Sequence, residues 1–196
     1  MPARVDHPSD AEAMALVASL GLSPHPEGGF YRETWRDQPA DEVRGTGTAI
    51  LFLLRAFEAS RWHRVDGTEI WHAYRGVCAT LWIATAEGPA QRVLLGHDLQ
   101  RGEQPQAIVP PWAWQQTLAG DGWALFGCTV SPAFEFQGFE MAAPDFICFT
   151  QFLWASSLMR RMRIGCARVA RGRRLCFRVA VGGDYLRVKA RVPALT

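Results

Sequence analysis

The sequence predicts an all-β barrel or sandwich preceded by one short helix and followed by a basic extension. Three observations carry that expectation. From residue 48 onward, seven short runs rich in branched and aromatic residues recur between turn residues, at the roughly ten-residue spacing of sandwiches and barrels. Residues 10–20 instead repeat apolar side chains at helical spacing. After Asp145 the charge reverses: residues 1–144 hold ten Arg against seventeen Asp or Glu, while residues 145–196 hold ten Arg and one Lys against two Asp.

In chain order, Ser9 followed by Glu12 has the form of a capping box, and Ala13, Leu16, Val17 and Leu20 recur on one helical face until Gly21 stops the run. The next stretch, "SPHPEGGFYRETWRD", combines two prolines and two adjacent glycines with alternating aromatics, so a loop should enter an extended segment. In that segment Phe30, Arg32 and Thr34 should face one way, and Tyr31, Glu33 and Trp35 the other. The seven runs are "TAILFLL", "TEIWHAY", "CATLWIAT", "QRVLLG", "QAIVP", "WQQTLAG" and "WALFGCTV". Trp82 and Trp123 sit inside apolar runs and are expected in the core, while His25 and His97 lie in loop-like stretches suited to solvent or a local hydrogen bond.

Composition narrows the function classes. An apolar fraction of 48% with 20% charged residues is that of a folded domain, and 196 residues suffice for one substantial core. No apolar run is long enough for a membrane helix, and Asp6, Asp10 and Glu12 replace the basic start of a secretion signal, so a cytoplasmic location is expected. Five cysteines without a C-x-x-C pair read as buried free thiols. The usual glycine-rich phosphate loops are absent. The arginine-rich residues 146–196 could meet an acidic surface by charge alone, but without a recognisable reading module they argue against a nucleic-acid partner. They are read as a basic extension of uncertain order beside a domain spanning residues 9–145.

The chemistry concentrates in "WHRVDGTEIWHAYRG", residues 62–76. Glu69 and Gly76 keep an E-x6-G spacing, and Pro110 opens "PPWAWQQ". These features, with "HPEGGFYRETW", "LGHDLQRGEQPQAIVPPWAWQ" and "FGCTVSPAFEFQGFEMA", resemble the cupin superfamily, and within it a subfamily of short proteins catalogued as a domain of unknown function. The resemblance implies a double-stranded β-helix, or jelly-roll barrel, usually dimeric, with a pocket inside. The chain departs from the two cupin motifs. Counting back from Glu69 puts Trp62 and Arg64 at the usual histidines, or Arg61 and His63 if the turn is one residue longer. Counting on from Pro110 puts Trp112 at the usual glycine, Gln115 at the usual histidine and Ala119 at the usual asparagine.

The site expected from these residues holds a small polar, carbohydrate-like molecule. By analogy with metal-free sugar epimerases and isomerases of the superfamily, His63 serves as acid or base, with Glu69 orienting it or taking a second proton. Phe30, Trp62, Trp71 and Trp114 are candidate walls, Arg32 or Arg64 would meet an anionic group, and Tyr31, Glu33, Tyr74 and Gln115 complete the candidate ligand-binding set. No cofactor is expected; if a divalent metal binds, its ligands are His63, Glu69 and Gln115. His72 should face away from Glu69 along a regular strand, unless a bulge intervenes. Two other readings stay open: a binding protein without catalysis, and a metal-dependent cupin enzyme.

Overall fold

The computed structural model describes residues 10–40, 43–85 and 90–143, together with the backbone of 174–181 and 184–191. The chain divides into two compact units, Met1–Cys148 and Phe149–Thr196. In the first, helix α1 (Asp10–Leu20) precedes β1 (Ser23–Pro24), β2 (Phe30–Arg36), β3 (Thr48–Leu54), β4 (His63–Val65), β5 (Thr68–Gly76) and β6 (Ala79–Ala84). Next come β7 (Gln91–Leu95), β8 (Gln106–Val109), β9 (Trp114–Ala119), β10 (Ala124–Ser131) and β11 (Phe139–Met141). They form a six-stranded sheet in the order β1-β2-β3-β10-β5-β8 and a five-stranded sheet in the order β11-β4-β9-β6-β7, all described strand pairs being antiparallel. This is the expected all-β jelly-roll architecture.

Alternation along the strands builds the layers. Phe52 and Leu54 of β3, Trp71 of β5 and Phe126 of β10 enter one buried cluster with Leu81 of β6 and Leu95 of β7, joining the two sheets face to face. The intervening Leu51, Leu53 and Leu125 face the other way, where Ala13, Val17 and Leu22 cover them together with Trp123. Strand β3 is therefore buried on both faces, which is why it reads as a continuous apolar run rather than an alternating one. An isolated eleven-residue helix is marginal in water, so α1 depends on this packing. Its end is set by Gly21, whose φ of 62° lets Leu22 N–H reach the Val17 carbonyl at 2.9 Å and Gly21 N–H reach Ala18 at 3.2 Å. Ser9, the expected cap, lies outside the described residues.

The second unit contains an antiparallel pair, β12 (Arg174–Val181) and β13 (Asp184–Arg191). No strand is expected here from the sequence. The signal was present: two β-prone runs separated by two glycines are a short-hairpin pattern, which the many arginines obscured.

Candidate functional site

One end of the barrel interior is polar. Strand alternation turns His63 and Val65 of β4 inward, and Glu69 and Trp71 of β5 likewise, with His63 directly opposite Gln115 of β9. His63, Glu69 and Gln115 are all buried. Two further polar groups come from the loop between β1 and β2. There Gly28 and Gly29 take φ of 105° and 70°, and a Cβ on Gly29 would lie 2.7 Å from the Leu53 carbonyl. This tight passage carries His25 and Glu27 against the barrel, where Arg61 N–H donates to the Glu27 carbonyl at 2.6 Å.

A cavity of about 220 Å³ lies over these groups. Its polar lining includes His25, Glu27, His63, Glu69, Cys128 and Thr48; Tyr31, Phe134, Phe136 and Phe139 supply aromatic walls, and Glu33 and Arg36 complete the charged lining. His63 Nδ1 lies 2.8 Å from the Arg61 carbonyl and 3.2 Å from Glu27 Oε2. A carbonyl only accepts, so Nδ1 carries the proton and the lone pair of the neutral ring sits on Nε2. His25 has the opposite tautomer when neutral: its Nδ1 accepts from the Glu27 N–H at 3.4 Å, which leaves Nε2–H as donor. Glu69 accepts from Gln115 Nε2, and the Gln115 carbonyl accepts from Trp71 Nε1 at 2.9 Å. That relay fixes the amide orientation.

Burial dominates the electrostatics. It pushes Glu69 up to about 7, against the opposing hydrogen bonds from Gln115 and Cys128. Burial, helped by the Glu69 charge, raises Glu27 well above the ordinary carboxylate range. It lowers His63 to about 4, with the Arg61 carbonyl opposing and His25 assisting, and it lowers His25 to about 4. The His63–Glu27 contact, 3.2 Å between Nδ1 and Oε2, thus sets an imidazole that burial makes hard to protonate beside a carboxyl that burial makes hard to ionise. Cys128 lies beside these carboxyls, and its thiol is pushed well up by burial and by both neighbouring charges.

The candidate residues separate by strand parity. Tyr31, Glu33, His63 and Glu69 line the cavity, while Gln115 and Trp71 stand behind Glu69. Phe30 faces the α1 layer, with the Arg55 guanidinium 5.7 Å above its ring. Arg32 is exposed, one residue out of phase with Tyr31 and Glu33. Trp62 and Trp114 pack with Trp82 and Ala142 in a separate cluster, and Arg64 pairs with Glu140 while lying 4.6 Å from the Trp114 ring centroid. Tyr74 is half-exposed, stacked with His72 and laid across Gly127. None of Phe30, Arg32, Trp62, Arg64, Tyr74 or Trp114 reaches the cavity lining, because neighbouring residues on a strand point to opposite faces. A bulge does interrupt β5, but at Tyr74, beyond His72, which stays on the face away from Glu69 and pairs with Gln106. Trp123 is buried as expected, and His97 is exposed. His25 is largely buried rather than solvated, although its bond to Glu27 is local.

Sequence reasoning missed Glu27, Arg36, Thr48, Cys128 and the three phenylalanines. The usable signals were the glycine pair after Glu27 and the F-x-F-x-x-F spacing of Phe134, Phe136 and Phe139. Trp112, at the position of a motif glycine, adopts that residue's left-handed backbone with φ of 63°.

A metal does not fit the donors gathered here. Among the described residues no three His, Cys, Asp or Glu side chains are grouped to hold an ion. Gln115, the third expected ligand, spends its amide oxygen on Trp71 and its nitrogen on Glu69, and it does not line the cavity.

No helix among the described residues is long and apolar enough to cross a membrane. None of the curated proteins matches the chain. Among solved structures, a crystal structure of a Shewanella oneidensis protein is 38% identical, covers 66% of this chain and 83% of its own, and superposes with a TM-score of 0.62. A hypothetical protein from Leishmania major is 27% identical, with 76% of this chain and 93% of its own covered and a TM-score of 0.60. The family model described as "Cupin superfamily (DUF985)" matches residues 14–142, more than half of the sequence. With the barrel, the inward Glu69 and the degenerate second motif in place, the chain belongs to the DUF985 family of the cupin superfamily.

Proposed function

We propose that the barrel binds a small polar molecule and moves a proton within it, as a metal-independent isomerase or epimerase acting on a hydroxycarbonyl compound. The observation that carries this reading is that Glu69 and His63, both buried, face one cavity with Glu69 held near neutrality. In the reaction, the Glu69 carboxylate takes the proton from carbon beside the carbonyl. The C–H electron pair becomes the double bond of an enediol, while the carbonyl oxygen takes the proton of the Glu27 carboxyl. Return of that proton from Glu69 to the adjacent carbon, while the Glu27 carboxylate takes the proton of the neighbouring hydroxyl, gives the isomer and restores both carboxyls. For the epimer, water protonates the opposite face, Glu69 gives its proton back to water, and Glu27 again takes the hydroxyl proton as the carbonyl re-forms. His63, whose Nδ1–H is held by the Arg61 carbonyl, presents Nε2 as a second acceptor. A charge on Glu69 raises the neighbouring Glu27 carboxyl, so that one of the two can hold a proton while the other accepts one. Pairing of two copies and a cytoplasmic location belong to the same reading and rest on the family likeness and the composition.

The test is exchange in D2O. Small aldoses and ketoses are incubated with the full chain and followed by proton NMR for loss of the signal on carbon beside the carbonyl. Exchange that disappears in Glu69→Gln supports the reading. A chain that binds such compounds without exchange would be a binding cupin, and undiminished exchange in Glu69→Gln would assign the base elsewhere.

A further inference from the structure

The charges around the cavity restrict what can enter it. Three carboxyl groups, of Glu27, Glu33 and Glu69, line it against a single guanidinium, that of Arg36. Arg36 is already committed: Nε and Nη2 donate to the two Glu33 oxygens at 3.0 and 2.7 Å, and Nη1 donates to the Phe134 carbonyl at 2.9 Å. Arg32 and Arg64 lie outside the lining. A phosphate or carboxylate entering the cavity would therefore meet no uncommitted cation and would face two buried carboxyls.

The deep carboxyls show the complementary pattern. Several other acids have cationic partners: Glu33 with Arg36, Asp66 with Arg44, Glu58 with Arg55 and Glu140 with Arg64. Glu69 has the Gln115 amide and the Cys128 thiol instead, and Glu27 has the neutral His63 ring. Among the described residues no Lys or Arg forms an ion pair with either. The walls beside them are Tyr31, Phe134 and Phe139, whose ring faces attract positive charge and repel negative charge.

We propose that the cavity takes a small organic cation, a molecule bearing a protonated amine or a quaternary ammonium group, with Glu27 and Glu69 as its counter-charge and the Tyr31, Phe134 and Phe139 rings as its apolar wall. The inference rests on the reading of this cavity as the small-molecule site and narrows its ligand. Anionic sugar nucleotides are disfavoured by the same charges. One negative charge shared by two carboxyls balances a monocation and leaves the second carboxyl protonated, so the acid needed for proton transfer survives binding. The raised proton affinities of Glu27 and Glu69 agree with a site whose counter-ion arrives with the ligand.

Isothermal titration of the full chain separates charge from shape. The probes are choline, ethanolamine, the uncharged carbon analogue of choline in which a quaternary carbon replaces nitrogen, and the corresponding branched carboxylate. At least one cation should bind about tenfold or more tightly than the carbon analogue, with the carboxylate weakest, as desolvated cation–π and charge contacts predict. Glu69→Gln should remove most of that preference while leaving the carbon analogue's affinity unchanged. If neither cation outbinds the carbon analogue, or the carboxylate binds best, the proposal is overturned; if Glu69→Gln fails to fold, the comparison among probes on the unaltered chain decides alone. Isotope exchange on uncharged sugars without any preference for cations would end this inference and keep the isomerase reading. Cation binding without exchange would do the reverse.

Discussion

Asp66 and Glu69 lie one turn of chain apart and live under opposite electrostatics. Asp66, in the turn between β4 and β5, receives both Nη1 and Nη2 of Arg44 at 2.8 and 2.7 Å, and Arg44 Nε also holds the Ala133 carbonyl at 2.7 Å. Those hydrogen bonds keep the Asp66 carboxyl below its ordinary range. Glu69, where β5 enters the barrel, is buried with an amide and a thiol for company and is pushed up to about 7. The fold thus supplies an arginine where a carboxylate ties loops together and withholds one from the two buried carboxyls of the cavity, Glu27 and Glu69. A structural acid gains by being charged at all working pH values; a proton-transferring acid must be able to be either.

The largest test of this contrast is activity. Glu69→Gln keeps an acceptor for Gln115 but cannot ionise, and proton exchange should fall on the order of 10²–10⁴-fold. Asp66→Asn should leave the rate per folded molecule within a few-fold, and comparable losses in both variants would erase the distinction.

Stability against pH comes next. The folded value of Glu69, about 7, lies above its ordinary 4.5, so its contribution is complete below pH 4.5 and is lost as pH rises through 7. Full loss is on the order of 3 kcal/mol at 1.36 kcal/mol per pH unit. Glu27 has the same sign. His25 and His63, lowered from 6.5 to about 4, contribute fully above 6.5 and lose it as pH falls towards 4. Between pH 4.5 and 6.5 the two pairs oppose each other, and above 6.5 only the glutamates act. Denaturation midpoints should therefore fall on the alkaline side in the native chain and fall less in Glu69→Gln. A native curve flat to pH 9 would contradict the assigned direction.

A smaller effect comes from the relay behind the site. Gln115→Leu removes the donor that opposes the rise of Glu69 and strands the buried Trp71 N–H. It should cost about 1–3 kcal/mol in urea denaturation and move the exchange profile to higher pH. An unchanged profile would make Gln115 packing only. The smallest effect is Asp66→Asn, about 1 kcal/mol at pH 7, since the Arg44–Asp66 pair is partly exposed. That loss should vanish in acid, where Asp66 is protonated in either state.

How much of this was legible in the sequence follows the range of each signal. Helix α1 and the runs that became β3, β5 to β10 are local patterns of period and turn residues, and they were readable nearly to the residue. Glu69 was readable because it and Gly76 keep the motif's E-x6-G spacing, and His63 because it meets a ligand position when the turn is one residue longer. Parity, read along β2, was not carried into the choice of site residues: Arg32 and Glu33 cannot both enter the barrel from adjacent positions of that strand. Glu27, Arg36 and Phe139 reach the site through long-range closure of the barrel, and no local pattern states which loop will fold over which strand. Proton affinity is more remote still, because it depends on everything buried around the group.

The most direct test of the central claim is a carbon-13 NMR titration of the side-chain carboxyls in the full chain, with Glu69 assigned from Glu69→Gln. A Glu69 midpoint near 7, with Asp66 titrating below its ordinary range, is the predicted result. A Glu69 midpoint near 4.5 would show a carboxylate fully charged at neutral pH and would contradict its role as a proton-exchanging group in this cavity.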